Sequence, residues 1–160
     1  MPEATVTSLL SPEFVAIDVV ASTREELLSA LADGLEAGGY VTSDYKQAVL
    51  DREVKFPTGL PTLGLKVAIP HADPEYVKKS FISVARLAQP VDFEEMGGSG
   101  SSVAADIVFM LAIADGKSQL TTLSALIGMF SQEDIMSRLR DAATSTDLFT
   151  VIDDEIRRSI

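Results

Sequence analysis

Apolar positions along the chain recur in two patterns, helical stripes and short unbroken runs. Leu27, Leu28, Leu31 and Leu35 keep to one helical face. Thr23 and Glu26 ahead of them form a capping box, and Gly38-Gly39 ends the stripe, which predicts a helix. A second helix is predicted from about Asp44 to Val54, burying Tyr45, Ala48 and Val49, with Arg52 and Glu53 in its last turn. The short runs Phe14-Val15-Ala16-Ile17, Val67-Ala68-Ile69, Phe81 to Leu87 and Ile107 to Ala114 read as strands. The last is apolar throughout and is expected to be a central strand covered on both faces. Arg86 implies that the third has either one wet face or a specific partner for its guanidinium.

Ser118 is predicted to cap a helix whose core stripe is Leu120, Leu123, Leu126, Ile127 and Phe130. Ser131 and Asp134 resemble another capping box, opening a helix that buries Ile135, Met136 and Leu139. A last helix holds Leu148, Val151, Ile152 and Ile156, with Arg157 and Arg158 suited to its negative C-terminal end. Val91 to Ala105 is read as containing a flexible surface loop, Gly97 to Ser102, and Met1 to Pro12 as a loosely ordered lead-in. Strands interleaved with helices give the α/β class, one sheet with helices on both faces. There is no internal repeat, and 160 residues fit one domain over 1–160, long enough to bury a core.

Composition narrows the function classes. An apolar fraction of 46% with 23% charged residues is that of a globular chain. The formal charge of −11 argues against nucleic acid and against an anionic membrane surface as direct partners. It suits a carrier with a basic docking face. Without cysteine there is no disulfide framework, no Cys-type zinc site and no thiol chemistry. No apolar run reaches ~18 residues and no signal-peptide pattern opens the chain, so a soluble, cytoplasmic protein without membrane insertion is expected.

The candidate chemistry lies between Asp51 and Asp73. This stretch holds the single histidine, His71, just after Val67-Ala68-Ile69 and Pro70, and therefore at a strand end. Imidazole can be a nucleophile in one step and a leaving group in the next. Taken alone, His71 reads first as a structural residue held by a backbone carbonyl. Arg52-Glu53 precedes it, followed by the turn Phe56-Pro57-Thr58-Gly59 with a hydroxyl at its centre. Other patterns fail: Gly59 to Gly64 has P-loop spacing but Leu65 stands where lysine is required. Gly97 to Ser101 lacks the last glycine of a nucleophile elbow. One histidine cannot build a three-histidine zinc site, and a Ser-His-Asp hydrolase using His71 and Asp73 is arithmetically open.

The ordered set Arg52-Glu53, Phe56-Pro57-Thr58-Gly59 and Val67-Ala68-Ile69-Pro70-His71 resembles the IIA phosphocarrier components of the bacterial sugar phosphotransferase system. The branch is the mannitol/fructose/nitrogen type, and within it the galactitol-like members. The resemblance covers nearly the whole chain. It implies the IIA mannitol/fructose-type fold and a histidine, His71, that accepts a phosphoryl group from phospho-HPr through its ε nitrogen. A cysteine of a IIB component, working with IIC in the membrane, would then take the group. No metal or cofactor is implied, because the donor already carries an activated phosphoryl group. A phosphohistidine places a dianion in a partly dry site, which calls for a guanidinium, a hydroxyl and backbone N–H groups.

Arg52 is the clamp of that set, unless it is only an exposed terminal-turn arginine; Thr58 supplies the hydroxyl, unless it only shapes its turn. Glu53 suits holding Arg52 or a backbone amide better than touching phosphate. Asp73 either orients the imidazole or caps the segment before Pro74. Gln119 stands where mannitol and fructose members carry a second histidine. It can donate a hydrogen bond from the predicted first helical turn but cannot carry charge or move a proton. The resemblance implies transport of a sugar or polyol such as galactitol. The alternative is a regulatory module phosphorylated on His71 that signals by binding a target.

Overall fold

The apolar run around Ile107 forms the middle of the sheet. A computed structural model describes residues 9–62 and 64–159 of the chain. Five strands, β1 (Val15–Val19), β2 (Gly59–Leu60), β3 (Val67–Ala68), β4 (Phe81–Glu94) and β5 (Ser102–Ala112), lie in the order β1-β4-β5-β3-β2. The sheet is mixed: β1 runs parallel to β4 and β3 to β5, while β4–β5 and β2–β3 are antiparallel. Successive side chains of β5 leave on opposite faces. Ile107, Phe109, Leu111 and Ile113 enter one core, and Val108, Met110 and Ala112 the other.

Helices α1 (Arg24–Ala37) and α2 (Tyr45–Lys55) cover the second face through Leu27, Leu28, Leu35, Tyr45 and Val49. The first face is covered by α3 (Gly116–Phe130), α4 (Glu133–Asp141) and α5 (Ser145–Ser159). The fold is thus the α/β class expected, a single mixed sheet flanked on both faces. Thr23 caps α1 as its spacing predicts, its hydroxyl accepting from the Glu26 N–H. Each large apolar side chain taken fully out of water contributes about 1.5–3 kcal/mol, so an unbroken apolar strand such as β5 belongs at the centre.

Several expectations are corrected. The first strand begins at Val15, because Pro12–Phe14 form a 3₁₀ turn capped by Ser11. The expected loop at Gly97–Ser102 is there except that Ser102 already belongs to β5, and the strands flanking it are longer than expected: β4 continues to Glu94, with Val91 opposite Ala105 and Phe93 opposite Val103. Only the tip is loop, where Gly97, Gly98 and Gly100 take positive φ. The cap of α3 is Asp115, not Ser118; its carboxylate accepts the Ser118 N–H at 2.8 Å. A carboxylate at that position satisfies a free donor and also faces the positive end of the helix. Leu120 and Ile127 are exposed and outside the core stripe, which Leu126, Met129 and Phe130 make instead.

Ser131 opens no capping box. It ends α3, donating its hydroxyl to the Gly128 carbonyl, and Gln132 precedes α4. Arg86, partly buried, has the specific partner the sequence left as one alternative, donating to the Leu139 and Arg140 carbonyls at the end of α4. Of the lead-in, residues 1–8 lie outside the described residues. Leu10 is buried and the Leu9 carbonyl accepts from Ile82 N–H.

Candidate active site

Backbone pairing sets the position of His71. Beyond β3 the chain stays beside β5, where the Leu111 N–H donates to the Pro70 carbonyl at 3.0 Å and His71 itself bridges Leu111. Proline ends the ladder because it has no N–H to offer. His71 is only 7% exposed. Its Nδ1 lies 2.8 Å from the Ile69 carbonyl oxygen. A carbonyl only accepts, so a neutral ring in this bond carries its proton on Nδ1 and keeps the Nε2 lone pair free.

Burial holds the imidazole pKa below its ordinary value. The bond to Ile69 acts the other way, the Arg52 charge adds to the lowering, and Asp73 opposes it. Both charges are therefore near enough to act on the ring. A neutral, desolvated imidazole with one nitrogen free is the form that can attack phosphorus.

Arg52 comes from the last turn of α2. That helix is anchored by Tyr45, fully buried, whose hydroxyl donates to the Leu111 carbonyl at 2.7 Å, the same residue that His71 bridges. The guanidinium sits with Nη1 3.3 Å from Asp73 Oδ1 and stacks at 5.1 Å on the Phe56 ring. Its Nε is buried with no partner among the described residues. Asp73 gives its carboxylate to Arg52 rather than to the imidazole, and its side chain makes no cap bond to the turn Pro74–Tyr76. The ring is oriented by the Ile69 carbonyl instead.

Thr58 is buried, and its hydroxyl donates to the Glu53 carboxylate at 2.9 and 3.1 Å while its N–H donates to the same group at 2.8 Å. Glu53 thus holds a backbone amide, as its position suggested. Burial pushes its carboxyl up to about 7, against the opposing hydrogen bonds from Thr58. Gln119, in α3, donates from Nε2 to the Ala72 carbonyl at 3.1 Å, directly after the histidine.

The structure therefore brings His71, Arg52 and Asp73 together, seats Gln119 against the next peptide, and connects Thr58 through the backbone. Sequence reasoning missed two contributors. The Ile69 carbonyl has no side-chain signal at all. Asp115, which fixes the start of the helix carrying Gln119, had one: an acidic residue three before a serine at a strand-to-helix junction.

The profile of the family described as "Phosphoenolpyruvate-dependent sugar phosphotransferase system, EIIA 2" matches residues 8–155. The chain is 31% identical over 126 residues to the galactitol-specific EIIA component of the phosphotransferase system from Escherichia coli K12, covering 79% of this chain and 83% of that protein. It is 30% identical over 155 residues to the 2-O-alpha-mannosyl-D-glycerate-specific EIIABC component of the same strain. That match takes in 94% of this chain but spans only 23% of that longer protein. In structure it is similar to E. coli enzyme IIA for mannitol, solved in complex with phosphorylated enzyme IIB. The TM-score is 0.72 at 25% identity, covering 91% of this chain and 97% of that one. On the extent of the profile match and of the galactitol-type relative, the chain belongs to the EIIA 2 family of the phosphoenolpyruvate-dependent sugar phosphotransferase system.

Proposed function

We propose that His71 is the phosphoryl carrier of this chain, taking the group from phospho-HPr on Nε2 and passing it to a cysteine of a cytoplasmic IIB component. The observation that carries the reading is the Nδ1 bond to the Ile69 carbonyl, which leaves Nε2 as the nucleophilic nitrogen of a buried, neutral ring. In the first step the donor's bond to phosphorus breaks as the Nε2–P bond forms. In the second that bond breaks as a cysteine sulfur takes the phosphorus, and the ring is returned with its Nδ1 proton in place. Little covalent chemistry is asked of the protein, so alignment and charge stabilisation dominate. Arg52 neutralises the transferring group, its Asp73 partner holding the guanidinium near the ring. Gln119 has a second N–H to offer beside the one given to Ala72. Thr58 serves by shaping the loop, since its hydroxyl is engaged by Glu53.

The solved complex with phosphorylated IIB of the mannitol relative supports a IIB partner for this chain, with IIC completing the membrane unit. Likeness to the galactitol-specific component supports a polyol such as galactitol as cargo. The direct test is incubation with phosphoenolpyruvate, enzyme I and HPr. One acid-labile phosphoryl group per chain is expected and none in His71→Ala; labelling that survives the substitution overturns the reading. Transfer onward to a galactitol-type IIB, faster than to a mannitol-type one, supports the cargo. Phosphorylation without transfer to any IIB points instead to the regulatory role.

A further inference from the structure

We infer that Glu53 is a positioning residue for the reacting histidine, its buried carboxylate fixing the orientation and proton placement of His71 through Thr58 and Ile69. The path is a continuous set of hydrogen bonds. Glu53 accepts both the N–H (2.8 Å) and the hydroxyl (2.9 Å) of Thr58. The Thr58 carbonyl accepts from the Ile69 N–H at 3.3 Å, and the Ile69 carbonyl accepts from Nδ1 of His71 at 2.8 Å. The ladder that joins the strand after Thr58 to the strand before His71 is only two residues long on each side, Gly59–Leu60 against Val67–Ala68. A carboxylate buried to 2% exposure and bound to both polar groups of one residue supplies what so short a ladder lacks.

The arrangement depends on the charge state of Glu53. Ionised, the carboxylate offers only acceptors, matching two donors from Thr58. Protonated, it brings a third hydrogen to the same contact, and the Thr58 hydroxyl must turn away to accept it. The charged groups facing the carboxylate from packed elements are Arg24 of α1, which favours ionisation, and Glu94 of β4, which opposes it. Arg52, its chain neighbour, is committed to Asp73 and Phe56. With burial holding the carboxyl at about 7, the switch falls within the neutral range. The Arg52 clamp and His71 are then set by one helix turn, one residue facing the ring and the next holding the loop that orients it.

The kinetic side of this inference rests on the proposed role of His71, whereas the ring geometry does not. The test is nitrogen-15 spectroscopy of the His71 ring in the 160-residue chain, parent beside Glu53→Gln, followed from about pH 5.5 to about pH 8.5. In the parent, the share of ring protonated on Nδ1 should fall as pH drops through about 7, apart from ring protonation at lower pH. An amide can accept from the Thr58 N–H and donate to its hydroxyl oxygen without titrating, so Glu53→Gln should keep the fold and show no such step. Phosphoryl uptake from phospho-HPr should drop about fivefold more in the parent than in the variant as pH falls through about 7, the worth of one hydrogen bond, beyond the loss from ring protonation that both share. A parent with no near-neutral step in its ring shifts, or a variant whose curves copy the parent's, overturns the inference. A chain that takes up no phosphoryl group refutes the carrier role, and the ring shifts still decide the role of Glu53.

Discussion

Arg52 shows how a residue's meaning changes with its neighbours. Its pair with Asp73 is partly exposed and contributes only ~0–1 kcal/mol to stability. Its charge nevertheless acts on a buried imidazole, and its Nε is left without a partner among the described residues. Arg52→Ala should therefore melt close to the parent and transfer more slowly by ~10²–10³, as loss of a preorganised donor does. An unchanged rate, measured by phosphoryl transfer beside a melting curve, removes Arg52 from the site. Gln119 gives a second case, because its amide already holds the Ala72 carbonyl. Gln119→Leu should slow transfer by the worth of a hydrogen bond to a charged group, ~1.5–3 kcal/mol. Transfer at the parent rate would leave Gln119 as a brace for the peptide after His71 only. His71, Arg52 and Glu53 were singled out through the family resemblance of their motifs, since residue type alone left His71 and Arg52 open to structural readings. The partner of the Thr58 hydroxyl was not legible, because it depends on how the chain turns back at Phe56 and Pro57 to set Thr58 against the helix end that carries Glu53.

At the scale of elements, strong helical stripes and the apolar run of β5 were read directly from periodicity. Short elements and boundaries were not. The glycine and serine run Gly97 to Ser102 marked the tip of the β4–β5 hairpin, but the alternation of Val91, Phe93, Val103 and Ala105, all inward, that makes its two arms strands went unread. That hairpin reaches the site: its Met96 N–H donates to the Gly59 carbonyl, beside Thr58. Gly59 is needed for closeness, since a Cβ there would lie 2.7 Å from the Glu94 carbonyl oxygen and 3.1 Å from Val103 Cβ. Gly59→Ala should lower stability by about 1–3 kcal/mol, as overpacking does, and should slow transfer by moving Thr58. Chemical denaturation checks the first and phosphoryl uptake the second; a variant as stable as the parent would show that the hairpin tip yields freely.

For the whole molecule, one sheet with a core on each face lets two helices deliver the site from opposite sides. Arg52 and Glu53 arrive on α2 from one face, and Gln119 on α3 from the other. Two buried titrating groups then give folding stability opposite dependences on pH. Glu53 binds its proton more tightly folded than unfolded, so its contribution declines as pH rises from 4.5 through about 7. His71 binds its proton less tightly folded, so its contribution is lost as pH falls below the ordinary histidine value, ~6.5. Glu53→Gln should gain on the parent between about pH 5 and about pH 8 by up to about 3 kcal/mol, measured by urea unfolding at both. Parallel pH dependences would contradict that assignment. The central claim, that a buried ring held through Nδ1 reacts at Nε2, is tested most directly on the phosphorylated chain. Phosphorus-31 and nitrogen-15 spectra of His71 should show the phosphoryl group on Nε2 with the proton retained on Nδ1. A phosphoryl group on Nδ1, or on any residue other than His71, would contradict it.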